Sequence, residues 1–214
     1  MGNDRMSKPD VKDTARTRAR YDRIARFYDL MEQRGEKRMA PWRAGLWGRV
    51  KGPRVLEVGV GTGKNIPYHP GNVEITGIDL SLRMLERARK RAAELSRHVD
   101  LQEADVQALP FPDGEFDTVV STFVFCSVPD PVLGLTEIRR VLKPGGQLLM
   151  LEHVLPRRPL LALVMRTMNP MVVRMMGANI NRDTVRNVKL AGFVDLLVED
   201  LRLDIFKRIE GRVP

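Results

Sequence analysis

The sequence predicts an α/β fold: a seven-stranded, mostly parallel sheet that ends in a C-terminal antiparallel hairpin and is preceded by an amphipathic helix. Three observations carry this expectation. Strand-length apolar runs alternate with stretches of helical periodicity along most of the chain. The first such run, Val55-Leu56 and Val58, opens directly into Gly59-Val60-Gly61-Thr62-Gly63, a strand feeding a glycine turn. The last two apolar runs, Phe193 to Val198 and Leu203 to Phe206, lie close enough to form a hairpin.

The elements follow in order. Residues 1–12 are expected to be disordered and 13–50 to form a basic helical lid, its periodicity running from about Asp10 to Arg34. Tyr21, Ile24, Ala25, Phe27, Tyr28 and Met31 make one stripe, with Arg16, Arg20, Arg23 and Arg26 opposite. Met39 to Val50 is a second short segment whose Trp42, Leu46 and Trp47 belong to the core or anchor at an interface. After the glycine turn, Val73 to Ile78 is a strand ending in Asp79. Ser81 caps a helix to Ser96 that is buried through Leu85, Ala88, Ala92 and Leu95. Val99 to Glu103 and Phe116 to Phe123 are further strands, the latter apolar as central parallel strands are. Asp130-Pro131 begins a helix that stops at Lys143-Pro144-Gly145-Gly146, and Gln147 to Leu151 is a fifth strand ending in Glu152-His153. Residues 155–180 interrupt the rhythm as a methionine-rich insertion, with Met165, Met168, Met171, Met175 and Met176 among arginines. Pro156, Pro159 and Pro170 suggest short pieces there, and a final helix is expected from about Asn181.

Glycines suit the turn because they accept positive φ and admit a ligand close to the backbone. The spacing is G-x-G-x-G, which fits neither a dinucleotide fingerprint nor a P-loop. Glu57 is a charge inside an apolar strand, and Asp79 and Asp105 each close a later strand. An acid 20 residues beyond Gly59 stands where a nucleotide-binding sheet places a carboxylate against ribose hydroxyls. Together ExGxGTG, GIDLSxxML and the later Asp105 resemble the Rossmann-like class I S-adenosylmethionine-dependent methyltransferases. That resemblance implies S-adenosyl-L-methionine as cofactor, S-adenosyl-L-homocysteine as product, and no metal. It assigns cofactor contacts to Glu57, Gly59, Gly61, Thr62, Gly63, Asn65, Asp79, Leu80, Met84, Asp105, Val106 and Thr122, with Tyr21 reaching over from the lid.

From about Tyr21 onward the chain also resembles the small bacterial phosphatidylethanolamine N-methyltransferases, through RYDRIARFYDLM, LEVGVGTGKNIPYHP, GIDLSLRML, LEHV and GANINRDTV. The resemblance implies methylation of a phosphatidylethanolamine-type lipid toward phosphatidylcholine by an enzyme on the inner face of the cytoplasmic membrane. Tyr28, Glu152 and His153 are then the candidates for orienting the amine or relaying its proton. Tyr28, Phe125, Met168, Asn181 and Arg182 are the candidate substrate contacts, Arg182 holding the phosphodiester from a helix start. Tyr21, Phe27 and Tyr28 would cage the methylated ammonium. The quinone-ring C-methyltransferases share parts of these motifs and supply the alternative acceptor, a prenylated quinone.

Composition narrows the partners. With 214 residues, one domain spanning 1–214 is expected, as a monomer. A single cysteine, Cys126, excludes a disulfide framework and suits a reducing cytoplasm. The net charge of +9 is uneven: Met1 to Arg54 carries +8 and Leu155 to Leu190 carries +6, which leaves the catalytic sheet mildly acidic. This favours an anionic surface, rich in acidic lipid and met by the N-terminal basic helix. An RNA methyltransferase or RNA-binding protein would exploit the same charge, but the chain has no RNA-recognition motif, so no nucleic-acid partner is expected.

Overall fold

The computed structural model describes residues 8–214, the side chains of 31–34, 175 and 176 excepted. Seven strands form one sheet: β1 (Arg54–Val58), β2 (Glu74–Asp79), β3 (Asp100–Glu103), β4 (Phe116–Thr122), β5 (Leu142–His153), β6 (Val194–Arg202) and β7 (Phe206–Arg212). Their order is β3-β2-β1-β4-β5-β7-β6. The first five pair in parallel, and β7 enters antiparallel between β5 and β6. The chain winds outward from β1 in one direction and restarts at β4 in the other. Carboxyl ends of β1 and β4 therefore diverge at a switch point, where open α/β sheets bind ligands.

Five helices accompany the strands: α1 (Val11–Trp47), α2 (Leu82–Glu94), α3 (Pro131–Val141), α4 (Pro159–Met176) and α5 (Thr184–Leu190). Alternation along the strands sends neighbouring residues to opposite faces. Leu56, Val58, Val119, Leu148 and Met150 pack on one face with Leu135 and Ile138 of α3 and Val188 of α5. Val55, Val120, Leu149 and Leu151 pack on the other with Leu46 and Trp47 at the end of α1. Those last two are core residues, as the tryptophan-rich segment suggested.

Four expectations are corrected. The N-terminal segments are one continuous helix, begun at Val11 by the Asp10 side chain and carried through Pro41, so only residues 1–7 of the expected disordered stretch lie outside the described residues. The methionine-rich insertion is also one helix: Pro159 sits at its first turn, where the missing N–H costs nothing, and Pro170 is tolerated inside. The second hairpin strand is Phe206–Arg212, because Leu203 and Asp204 take positive φ (54° and 62°) and form the turn. Finally, α5 begins at Thr184 with Asp183 as its cap, which leaves Arg182 outside the helix start.

Candidate active site

A cavity of about 720 Å³, open mouth included, lies over the switch point. Its floor is Val58, Gly59, Gly61, Ile78, Asp79 and Leu80, and its sides are Met84, Ala104, Asp105, Val106, Thr122 to Val124 and Ser127 to Pro129. Thr17, Tyr21 and Tyr28 of α1 close it from above. A smaller cavity, about 330 Å³, continues past Gly59 and Gly61 and shares Tyr28, Thr122 and Phe123 with the first. It adds Thr62, Lys64, Asn65 and Arg43.

The glycine loop is held from below. Gly61 N–H donates to Asp79 Oδ2 at 2.9 Å, and Ser81 N–H donates to Asp79 Oδ1 at 2.9 Å. Burial pushes the Asp79 carboxyl up to about 6, these two bonds opposing the shift and Glu57 and Asp22 adding to it. Gly59 has φ +67°, and a Cβ there would stand 2.3 Å from Val124 Cγ2. Only glycine admits that contact between the two strand-end loops. Glu57 is fully buried behind the loop: it accepts Asn65 Nδ2 at 2.8 Å and pairs with His69 Nε2 at 2.8 Å.

Helix α1 is fastened across the strand ends at successive points. Thr14 Oγ1 donates to Asp105 Oδ2 at 3.0 Å, and Ser81 Oγ donates to Asp22 Oδ1 at 2.6 Å. Thr62 Oγ1 donates to Asp29 Oδ1 at 2.6 Å, while Arg87 and Arg91 of α2 each reach Asp29 Oδ2 at 3.0 Å. Burial pushes the Asp29 carboxyl up, but the bonds from Thr62 and Arg87 and the charges of Arg91 and Lys64 outweigh it and hold the group below its usual range. Arg43, buried, binds Glu36 through Nε (3.0 Å) and reaches Asn65 Oδ1 (2.8 Å) and Thr122 Oγ1 (2.9 Å) through Nη1. Asp22, Asp29, Glu36 and Arg43 recur every seven residues, a spacing that keeps them on one helix face with about 20° of drift per step. That repeat was readable in the sequence, hidden among the more numerous arginines, and none of the four figured among the expected site residues.

Of the expected cofactor residues, Tyr21, Gly59, Gly61, Asp79, Leu80, Met84, Asp105, Val106 and Thr122 line the main cavity. Thr62 and Asn65 line the smaller one, whereas Glu57 and Gly63 line neither and support the loop. Expected acceptor residues divide differently. Tyr28 stands in the wall common to both cavities. Glu152 and His153 line neither. Glu152 is fully buried and accepts the N–H groups of Val124 (3.1 Å) and Phe125 (3.3 Å), which shapes the loop after β4. Burial pushes its carboxyl up to about 7. His153 meets Phe206 edge to face, and burial lowers its pKa.

Phe125 is core, Met168 faces outward from α4, and Asn181 stands away from the cavity wall. Arg182 donates to Val128 O at 3.0 Å, so it braces the cavity wall from behind. Phe27 is 57% exposed and does not join Tyr21 and Tyr28, and Met31 lies outside the described side chains. The Cys126 thiol, pushed up to about 12 by burial, is no nucleophile.

A glycine floor at the switch point, strand-end acids on each side and a polar extension past the loop define the site of a nucleoside-bearing cofactor. The methyltransferase-domain family model matches residues 56–150. A demethylmenaquinone methyltransferase of Deinococcus radiodurans is 36% identical over 196 residues, covering 90% of this chain and 80% of that one. A phosphatidylethanolamine N-methyltransferase of Cereibacter sphaeroides is 42% identical over 106 residues, 49% of this chain and 52% of that relative, so the match spans about half its length. A Thermotoga maritima crystal structure described as a SAM-dependent methyltransferase, possible histamine N-methyltransferase, superposes with a TM-score of 0.71 at 24% identity, over 92% of this chain and 99% of that one. The chain belongs to the class I S-adenosylmethionine-dependent methyltransferases.

The cavity fits that cofactor on its own geometry. Gly61 has no Cβ to fill the floor, and Asp79 and Asp105 line the cavity where they would hold the nucleoside part. Arg43 and Lys64 flank the polar extension, where an amino-acid carboxylate would lie.

Proposed function

We propose that the protein N-methylates phosphatidylethanolamine, and its mono- and dimethyl derivatives, toward phosphatidylcholine at the inner face of the cytoplasmic membrane. The observation that carries this reading is the composition of the cavity wall. Its ionisable residues are Tyr21, Tyr28, Asp79 and Asp105, with both acids already engaged by main-chain donors or the lid. A strong base is not required to methylate an amine. Its ammonium form has a pKa of about 10 by analogy with lysine, and burial beside a sulfonium lowers it.

S-adenosylmethionine, when bound, supplies an electrophilic methyl group. The chain supplies position and exclusion of water: the lid aligns Tyr28 with the amine nitrogen, and the faces of Tyr21 and Tyr28 stabilise the cation as methyl groups accumulate. Basic residues of α1 draw the protein to acidic headgroups, each contributing on the order of 1 kcal/mol near the surface. No helix among the described residues is long and apolar enough to cross a membrane.

A second reading, carbon methylation of a prenylated quinol, is favoured by the length of the match to the Deinococcus relative. It needs a group to remove a ring or phenolic proton. The test offers both acceptors in the same anionic vesicles with labelled cofactor. Label in the lipid amine supports the first reading; label confined to the quinol overturns it.

A further inference from the structure

The outward face of α4 is largely apolar over its first three turns, with Thr167 as a polar residue within it. Leu160, Leu163, Val164, Met168 and Met171 recur at spacings of three and four residues, with Leu160 76%, Leu163 58% and Met171 54% exposed. At 3.6 residues per turn they share one arc of the helix. The opposite side is seated: Met165 is buried, and Asn169 Oδ1 accepts Ile180 N–H at 2.8 Å. The apolar stripe is therefore presented outward by a helix whose inner face is already fixed.

Charge says what covers it. From His153 to Arg182 the chain has no Asp or Glu, while Arg157, Arg158, Arg166 and Arg174 are exposed around the stripe. A second copy of this chain would set arginine rim against arginine rim, which disfavours self-association. Arginines with apolar stems can instead rise to phosphates while the stripe sinks between headgroups. The N-terminal helix is less available for insertion. Arg18 pairs with Glu103, Arg20 lies against the Gly177 backbone at the end of α4, and the acids of α1 hold it as the roof of the cavity.

We propose that α4 is an in-plane membrane anchor that inserts its apolar stripe into an anionic bilayer surface, its arginines on the lipid phosphates. This deepens the membrane reading above and rests on it for the location of the acceptor. It moves the inserting element from the basic N-terminal helix, which then contributes long-range attraction, to α4.

The experiment is flotation of the whole protein with vesicles of phosphatidylcholine alone or with phosphatidylglycerol, without amine acceptor or cofactor. The expected parent result is binding to the anionic vesicles only. L163Q/M171Q is expected to lower partitioning roughly tenfold even in high salt, where surface Coulomb attraction is screened. R166Q/R174Q is expected to lose binding chiefly in low salt. Both variants should keep the parent's affinity for S-adenosylhomocysteine, which reports an intact fold. Parent-like flotation of L163Q/M171Q overturns the proposal, as does failure of the parent to float. A dimeric parent that the apolar variant turns monomeric also overturns it, by assigning the stripe to a second copy. Vesicle binding without lipid methylation would instead count against the proposed acceptor and leave the anchor standing.

Discussion

Thr62 Oγ1 lies 2.6 Å from Asp29 Oδ1, a bond that ties the lid helix to the glycine loop. Arg87 and Arg91 meet the same carboxylate from α2. Lid, loop and α2 thus share one fastening directly beside the cavity, so closure of α1 and the shape of the cofactor floor are coupled.

Replacing Asp29 by Ala removes that fastening. The carboxylate is partly solvated, so screening limits the loss of stability to about 1 kcal/mol. Affinity for S-adenosylhomocysteine is expected to fall about tenfold through a faster off-rate, because the roof opens more often. Stopped-flow displacement reads the rate, and a thermal melt checks the fold.

Glu152 makes stability fall as pH rises. A carboxyl whose folded pKa lies above its unfolded value binds its proton more tightly when folded. Its contribution is fully present below 4.5 and is lost as pH rises through about 7. Glu152→Gln keeps an oxygen for the Val124 and Phe125 N–H groups while removing the charge. It is expected to flatten the decline and to raise stability at pH 8 by up to about 3 kcal/mol. Denaturant titrations at pH 5 and pH 8 measure this; Asp79, raised to about 6, leaves a residual slope of the same sign.

Gly59→Ala meets two obstacles at once. Its φ is +67°, and the new Cβ would collide with Val124, whose own N–H is held by Glu152. A loss of about 1–3 kcal/mol is expected. Calorimetry should show weakened cofactor binding alongside the lower melting temperature.

Tyr28→Phe separates positioning from binding. The ring remains in the wall and the hydroxyl is lost, so S-adenosylhomocysteine affinity should hold while kcat falls about ten- to a hundredfold. Steady-state kinetics with a saturating lipid acceptor distinguishes this from a change in KM.

The sheet was legible because apolar strands and the glycine turn carry local signals: the first six strands, the Ser81 and Asp130 caps and the acids Asp79 and Asp105 stand where those signals put them, whereas the seventh strand begins only at Phe206, beyond the turn that Leu203 and Asp204 form. What sequence did not reveal depends on tertiary context. Pro170 reads as a break but lies inside α4, and the N-terminal stretches that read as two segments are one helix through Pro41, just before the part packed through Leu46 and Trp47. Glu152 looked like a reacting carboxylate at a strand end, yet the backbone of the following loop claims it. Arg43 carries no local signal that marks it out in the sequence, and it is buried against Asn65 and Thr122.

Lipid N-methylation is measured most directly by following labelled methyl from S-adenosylmethionine into vesicles of phosphatidylethanolamine and an acidic phospholipid, with chromatography of the extracted lipids. Mono-, di- and trimethylated phosphatidylethanolamine are expected to appear in that order, and Tyr28→Phe is expected to slow every step. A protein that binds S-adenosylhomocysteine and floats with the vesicles, yet leaves the lipid unlabelled, would contradict the proposed function.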